Sequence, residues 1–281
     1  YRLAPRFLPA PTTKDYFRVA TDLIYQRQFT KGRDFLSKIM DGKEFSSEEK
    51  YQAHRAYRNS FKTEQKKEQH VNEAEKFALW TSAPKNHQVP QRIHEAYLTW
   101  ARAAWTQSQI IEAKGALDRA EKLLRGKVLL EEVYFVRAKM AEEAKDLDLS
   151  LQLLAKGEKE TKLSSPYRSR ILFSKAWILR KQGKYQDAVD SFAKLKAETQ
   201  DPFDKNKYSF WLAKSMKQAM QIEPAQRELQ ELVQADPLGY YGLVAYREMN
   251  TEIPALQLEN SKASGWNKPG NVSQQDHDLI R

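Results

Sequence analysis

The chain has 281 residues, of which 41% are hydrophobic and 30% charged, with 10 Gly, 11 Pro and no Cys. This excludes thiol nucleophiles, disulfides, zinc ribbons and iron–sulfur ligation, and no run approaches the ~18 apolar residues of a spanning helix. The formal charge of +10 is uneven: residues 1–200 carry 38 Lys+Arg against 26 Asp+Glu, whereas residues 201–281 carry 9 against 11.

The chain begins Tyr1-Arg2-Leu3-Ala4-Pro5, without an initiator Met and without the charged, apolar and small-residue succession of a signal peptide. Tyr1 is therefore expected to be a processing boundary or the edge of a segment. Phe17, Ala20 and Leu23 followed by Phe35, Leu36 and Ile39 predict a first helix pair. Ala53 and Ala56 with Val71, Ala74 and Ala78 predict a second, with Ser60 to Gln69 as a longer hairpin loop or a helix extension.

From residue 98 onward the pattern becomes a repeat. Ala101, Ala138, Ala176 and Ala213 are separated by 37, 38 and 37 residues, each with Leu98, Phe135, Phe173 or Phe210 three positions before it. Nine positions after the alanines stand Ile110, Leu147, Tyr185 and Ile222; twelve after, Ala113, Ser150, Ala188 and Ala225; sixteen after, Leu117, Leu154, Phe192 and Leu229. Apolar steps of three and four on both sides of a short polar connection such as Lys181-Gln182-Gly183-Lys184 predict two antiparallel helices per unit. Small residues on both let the backbones approach, and the large residue fills the groove beside them. One such hairpin cannot bury both faces, so the units must stack into a solenoid.

The order of small residue, turn, aromatic, small residue and large apolar residue, closing at Pro202 and Pro237, resembles the tetratricopeptide (TPR) family. The best copy is Ala176 to Pro202, with Gly183, Tyr185, Ala188 and Phe192 in the family's order. Departures are the longer period, Lys145 and Met220 where Gly183 stands, and Gly157 or Leu232 at a usual alanine position. The resemblance implies an all-α fold: a right-handed superhelix of about six antiparallel helix pairs over residues 1–236.

The sequence then reads Asp236-Pro237-Leu238-Gly239-Tyr240-Tyr241-Gly242-Leu243-Val244-Ala245-Tyr246-Arg247. With the aromatic, Leu and Ala group of Phe210-Trp211-Leu212-Ala213, this resembles the point where the helical array of soluble lytic murein transglycosylases nears its catalytic domain. The resemblance covers residues 166–249 and is architectural before that. It implies a terminal Tyr-Tyr helix over 237–250, then a linker and the start of a following domain over 251–281, the last residues Asp278-Leu279-Ile280-Arg281 reading as an opening helix. It also implies a periplasmic location in a Gram-negative bacterium, and peptidoglycan glycan strands and the following catalytic domain as partners. The family's Glu-Ser and downstream Gly-Leu-Met-Gln motifs are not in this sequence, so no catalytic residue is transferred.

Other candidates have weak spacing. His54, His70, His87, His94 and His277 form no metal-ligand pattern, and no phosphate-binding glycine loop or nucleophile elbow occurs. Glu131-Glu132 and Glu142-Glu143 fall on helices among basic residues. Trp100, Trp177 and Trp211 lie within two positions of the repeat alanines and so read as packing, with sugar stacking as the alternative. Tyr240 and Tyr241 read as packing the last helix on the array, or, if exposed, as contacting the following domain. Lys66-Lys67 and Arg180-Lys181 read as solvated helix ends, not as a nucleic-acid site. No cofactor is expected, and no catalytic, metal or cofactor-binding residue is assigned. Two functions stay open: a non-catalytic scaffold that positions glycan for a transglycosylase domain, and a stand-alone TPR-like adaptor gripping a protein or peptide partner.

Overall fold

The alanine column of the sequence becomes the contact between paired helices. In the computed structural model, which describes residues 12–84, 86 and 88–252, thirteen helices and no strand occur among the described residues. They are α1 (Thr13–Tyr25), α2 (Phe29–Asp41), α3 (Ser47–Thr63), α4 (Lys67–Ser82), α5 (Pro90–Thr106), α6 (Ile110–Leu124), α7 (Glu131–Glu143), α8 (Leu147–Glu160), α9 (Pro166–Lys181), α10 (Tyr185–Glu198), α11 (Pro202–Gln218), α12 (Ile222–Ala235) and α13 (Tyr240–Glu248). Ala101, Ala138, Ala176 and Ala213 lie on α5, α7, α9 and α11, and all are fully buried, as are Ala113, Ser150, Ala188 and Ala225 on the partner helices. Ser150 is tolerated in that column because its hydroxyl donates to the Ala138 carbonyl at 2.8 Å, so no polar group is left unpaired. Leu117, Leu154, Phe192 and Leu229 are also fully enclosed.

The first turn of every pair is built in one way. Arg27, Gln65, Ser108, Lys145, Gly183 and Met220 all take positive φ, from 59° at Ser108 to 74° at Gly183. In each case the next residue's N–H reaches back to the carbonyl five positions earlier, as in Lys184 to Leu179 at 3.0 Å and Gln221 to Met216 at 2.9 Å. This closure satisfies carbonyls that the helix end would otherwise leave open. Lys145 and Met220 therefore do not interrupt the repeat; they adopt the glycine conformation at a steric cost. The second pair follows the same rule: Ser60–Thr63 extends α3, Lys67 begins α4, and only Glu64–Lys66 remain as the turn.

Between pairs the chain leaves α2, α4, α8 and α10 through an extended residue, Gly42, Ala83, Thr161 or Thr199, and re-enters α3, α9 and α11 through a side-chain cap. Ser165 and Asp201 cap α9 and α11, each followed by Pro at the first helical position, where the missing N–H costs nothing. Backbones of odd-numbered helices also approach within 8 Å across units, at α1–α3, α5–α7, α7–α9 and α11–α13, whereas even-numbered helices do not do so to the same extent. The odd-numbered helices thus line the inner side of the curve. Neighbouring odd helices do not approach to that extent at two places, α3–α5 and α9–α11.

The array closes on α13, which packs against α11 and α12 through Ala245, clustered with Ala213, Leu229 and Leu232. Gly242 is required there: a Cβ would be driven into the Asp236 carbonyl oxygen, which is backbone and cannot swing aside. The expected linker and following domain over 253–281 lie outside the described residues.

Candidate functional site

The two places where odd-numbered helices stand apart are finished with opposite chemistry. Between α3 and α5 lies a cavity of about 580 Å³. Arg58, Asn59 and Lys62 reach it from one face of α3, and Thr99, Arg102 and Thr106, at helical steps of three and four, from one face of α5. Gln65 from the hairpin turn and Lys67 and His70 from α4 complete one wall. No carboxylate lines it.

Arg58 is only 4% exposed, and its Nη2 donates to Asn59 Oδ1 at 3.0 Å, but Nε and Nη1 have no partner. The guanidinium lies 5.2 Å from the Phe77 ring centre. Burial holds its pKa below the ordinary guanidinium range, partly opposed by the charge of Glu95. Glu95 itself is taken by Arg55 at 3.0 Å and by the Tyr51 hydroxyl at 2.9 Å. Lys62 and Lys67 pair with no carboxylate among the described residues, whereas Lys66 turns away to Glu64 at 2.9 Å and Arg102 reaches Glu132 at 2.5 Å. His70 Nδ1 sits 3.1 Å from the Arg58 carbonyl, which can only accept, so Nδ1 carries the proton. Burial, with the nearby Arg58 and Lys62 charges, holds His70 below the usual imidazole range, and that carbonyl bond opposes the shift.

Between α9 and α11 the space is filled by rings. Trp177 and Trp211 meet edge to face at 4.7 Å, Phe173 lies 6.4 Å from Trp177 and 6.0 Å from Tyr208, and Arg180 lies over both tryptophans at 5.6 and 5.2 Å. Trp100, by contrast, is buried beside Tyr97. Tyr241 packs against Phe203 and Phe210, but its neighbour Tyr240 is 67% exposed, so only one of the two tyrosines secures α13.

The remaining candidates are scattered. His54 lies tilted against Trp80 at 4.5 Å and stacks on Phe77 at 6.0 Å, and burial pushes its pKa down to about 4. His94 is lowered by burial as well, with its Nε2 unpaired. His87 and His277 lie outside the described residues, and no metal-binding cluster occurs among those described. Glu131 accepts from Ser165 at 2.5 Å, Glu132 holds Arg102, Glu142 is shared by Lys139 at 2.5 Å and Lys181 at 3.0 Å, and Glu143 accepts from the Trp105 indole. These carboxylates tie neighbouring helices together and converge on no cleft. Sequence reasoning missed Arg58, Lys62 and Arg102 as a group. A basic residue on a stripe otherwise occupied by a buried position, as Arg58 is two turns after Tyr51, was the signal available.

No protein-family profile and no curated protein sequence matches the chain. Among solved structures it is similar to the C-terminal part of a TPR repeat-containing protein from Cytophaga hutchinsonii, at 13% identity and TM-score 0.60 over 83% of this chain and 84% of that one. It is similar to BtubC from P. vanneervenii, at 10% identity and TM-score 0.56 over 88% and 95%. PilF of Pseudomonas aeruginosa aligns at 14% identity and TM-score 0.52 over 84% and 97%. At these identities the likeness is one of fold: the chain is an all-helical, TPR-like repeat solenoid. No helix among the described residues is long and apolar enough to cross a membrane.

Proposed function

We propose that this chain is the non-catalytic helical scaffold of a periplasmic peptidoglycan lytic transglycosylase, which positions glycan for a catalytic domain on the same polypeptide. The observation that carries the reading is the closure at Asp236 to Glu248. The Pro-Leu-Gly-Tyr-Tyr-Gly segment that resembles the family also forms a tightly fitted terminal helix, with Gly242 against the Asp236 backbone, Tyr241 seated on α11 and Tyr240 projecting. Lys214 and Lys217 grip Glu248 at 2.9 and 3.2 Å, and Lys217 also donates to its carbonyl at 3.0 Å. Burial alone would raise Glu248, but these two lysines outweigh it and hold the carboxylate below its usual range. A rigid last helix with an exposed ring suits a scaffold that hands over to a neighbouring domain.

The reaction assigned to that domain needs one carboxylic acid to protonate the glycosidic oxygen and then accept the sugar hydroxyl proton as the 1,6-anhydro ring closes. Glu131, Glu132, Glu142 and Glu143 join neighbouring helices through hydrogen bonds and ion pairs, and the reading gives this region binding and orientation. The test is to read the gene past the codon for Arg281. Glu-Ser followed by Gly-Leu-Met-Gln is expected, with release of anhydro-muropeptides from sacculi by the whole polypeptide; a stop codon within a few residues overturns the proposal. The second reading, a TPR-like adaptor, is favoured by the cavity on the inner helix face, since it needs no further domain to act.

A further inference from the structure

An unbroken chain of ring contacts crosses the last three odd-numbered helices. It runs from Trp177 on α9 to Trp211 on α11 at 4.7 Å, to Phe210 at 5.4 Å and to Tyr241 on α13 at 6.0 Å. It ends at Tyr240 and Phe203, 5.0 and 5.4 Å from Tyr241. The first four rings are partly covered, whereas Phe203 and Tyr240 are 59% and 67% exposed. The rings meet at interplanar angles of 43° to 86°, so each is held against its neighbours before any ligand arrives. At the covered end Arg180 lies over both tryptophans with its Nε buried and unpaired, and it forms no ion pair among the described residues. Glu248, whose charge reaches it, is already held by Lys214 and Lys217. We propose that this ribbon of rings is a glycan-binding subsite: successive sugars of a peptidoglycan strand rest along it from Tyr240 and Phe203 inward, and a carboxylate carried by the strand meets Arg180. The inference rests on the scaffold reading for the identity of the polymer and assigns the residues that would hold it.

The ribbon selects its occupant. A sugar ring has an apolar C–H face about as wide as a phenyl ring and a polar rim, so it covers an aromatic side chain while its own hydroxyls stay wet. An apolar partner helix would instead bury Arg180 against hydrocarbon with no carboxylate to meet it. Nucleic-acid bases stack on such rings too, but the open end lies in the acidic part of the chain, where residues 201–281 carry 9 Lys+Arg against 11 Asp+Glu. That balance disfavours a polymer with a phosphate on every unit. Sugars that carry a carboxylate on alternate units match both features, ring faces along the ribbon and one guanidinium at its end. Trp211, Phe210 and Tyr241 separate Arg180 from Tyr240 along the contacts, so more than a disaccharide is needed to engage both.

The test is a calorimetric titration of the whole chain with four probes: the tetrasaccharide of alternating N-acetylglucosamine and N-acetylmuramic acid, the corresponding disaccharide, chitotetraose and tetrathymidylate. The muramyl tetrasaccharide is expected to bind with a Kd of about 1 mM, the disaccharide and chitotetraose each about tenfold more weakly, and tetrathymidylate not measurably. Tyr240→Ala and Phe203→Ala, which alter exposed rings, are each expected to weaken the tetrasaccharide about fivefold with the helical spectrum intact. Arg180→Gln is expected to reduce the tetrasaccharide to the level of chitotetraose and to leave chitotetraose itself unchanged. Tyr25→Ala, an exposed ring on α1, is expected to change nothing. No saturation by about 10 mM tetrasaccharide, tetrathymidylate binding as tightly, or insensitivity to both Tyr240→Ala and Phe203→Ala would each overturn the subsite. A stop codon soon after Arg281 with the tetrasaccharide still bound removes the scaffold reading alone; Glu-Ser and Gly-Leu-Met-Gln downstream with no tetrasaccharide binding removes this subsite alone.

Discussion

The α3–α5 and α9–α11 gaps occupy equivalent places in the solenoid and are solved differently. At α9–α11, Phe173, Trp177, Tyr208 and Trp211 fill the space with rings, and the lone Arg180 rests on two of them. At α3–α5 the space stays open and is lined by cations, one of them buried without a counter-charge. The first arrangement recovers apolar burial and aromatic contact energy; the second gives up both and concentrates charge. Helical repeats make such divergence cheap, because each unit touches only its neighbours and one gap can be specialised without disturbing the next.

The sharpest way to break this contrast is to empty the filled gap. Trp211→Ala is expected to cost about 3 kcal/mol, read as a lower urea midpoint, because the ring's contacts with Trp177, Phe210 and Arg180 vanish together. A loss under about 0.5 kcal/mol would mean the rings are decoration rather than filling. Acid should next distinguish the halves. His54 has an ordinary value of 6.5 and a folded value of about 4, so the unfolded chain takes the proton first. The stability this burial represents is present above pH 6.5, is lost as pH falls, and levels off below about 4. The total is on the order of 2–3 kcal/mol, with His70 and His94 adding in the same direction. All three lie on α3–α5 and none of the described residues after α5 is histidine, so hydrogen exchange at pH 5 should accelerate in α3–α5 before α9–α11. Uniform acceleration, or an unchanged pH slope in His54→Phe, would contradict this.

Arg58→Met should act with the opposite sign to Trp211→Ala. Replacing a buried charge that lacks a counter-charge by an apolar chain of similar length is expected to be neutral or to stabilise by about 1 kcal/mol in urea unfolding. Destabilisation by more than about 2 kcal/mol would show that its Asn59 bond and Phe77 contact hold the fold. The smallest effect tests what the two regions share. Gln65→Gly and Met220→Gly relieve the same left-handed turn, at φ 64° and 63°, and each should raise stability by about 0.5–1 kcal/mol. Loss of stability in either variant would contradict a common turn.

That shared turn and the alanine column explain why the repeat was legible in the sequence. Ala101 to Ala213 keep a spacing of 37 or 38 residues because each hairpin reuses one close contact and one closing turn. The loosened upstream register has a physical source too: the positive-φ residues Gln65 and Ser108 are 43 residues apart, where the other turns are separated by 37 or 38. The cavity was hidden for the same reason, since Arg58 and Arg102 come from units that are out of step and 44 residues apart. Charge counting located the excess in residues 1–200 without indicating which cations lacked partners. Only the pairing of Lys66 with Glu64, Arg55 with Glu95 and Arg102 with Glu132 separates the free charges from the neutralised ones.

The proposed role, a scaffold that holds cell-wall polymer without cutting it, is tested most directly by sedimenting the chain with purified sacculi at low and high salt and assaying the supernatant. Retention is expected at about 20 mM salt, release of the protein at about 0.5 M as the cationic surface is screened, and no soluble muropeptides at either. Failure to sediment at low salt, or any muropeptide product formed by this chain alone, would contradict it.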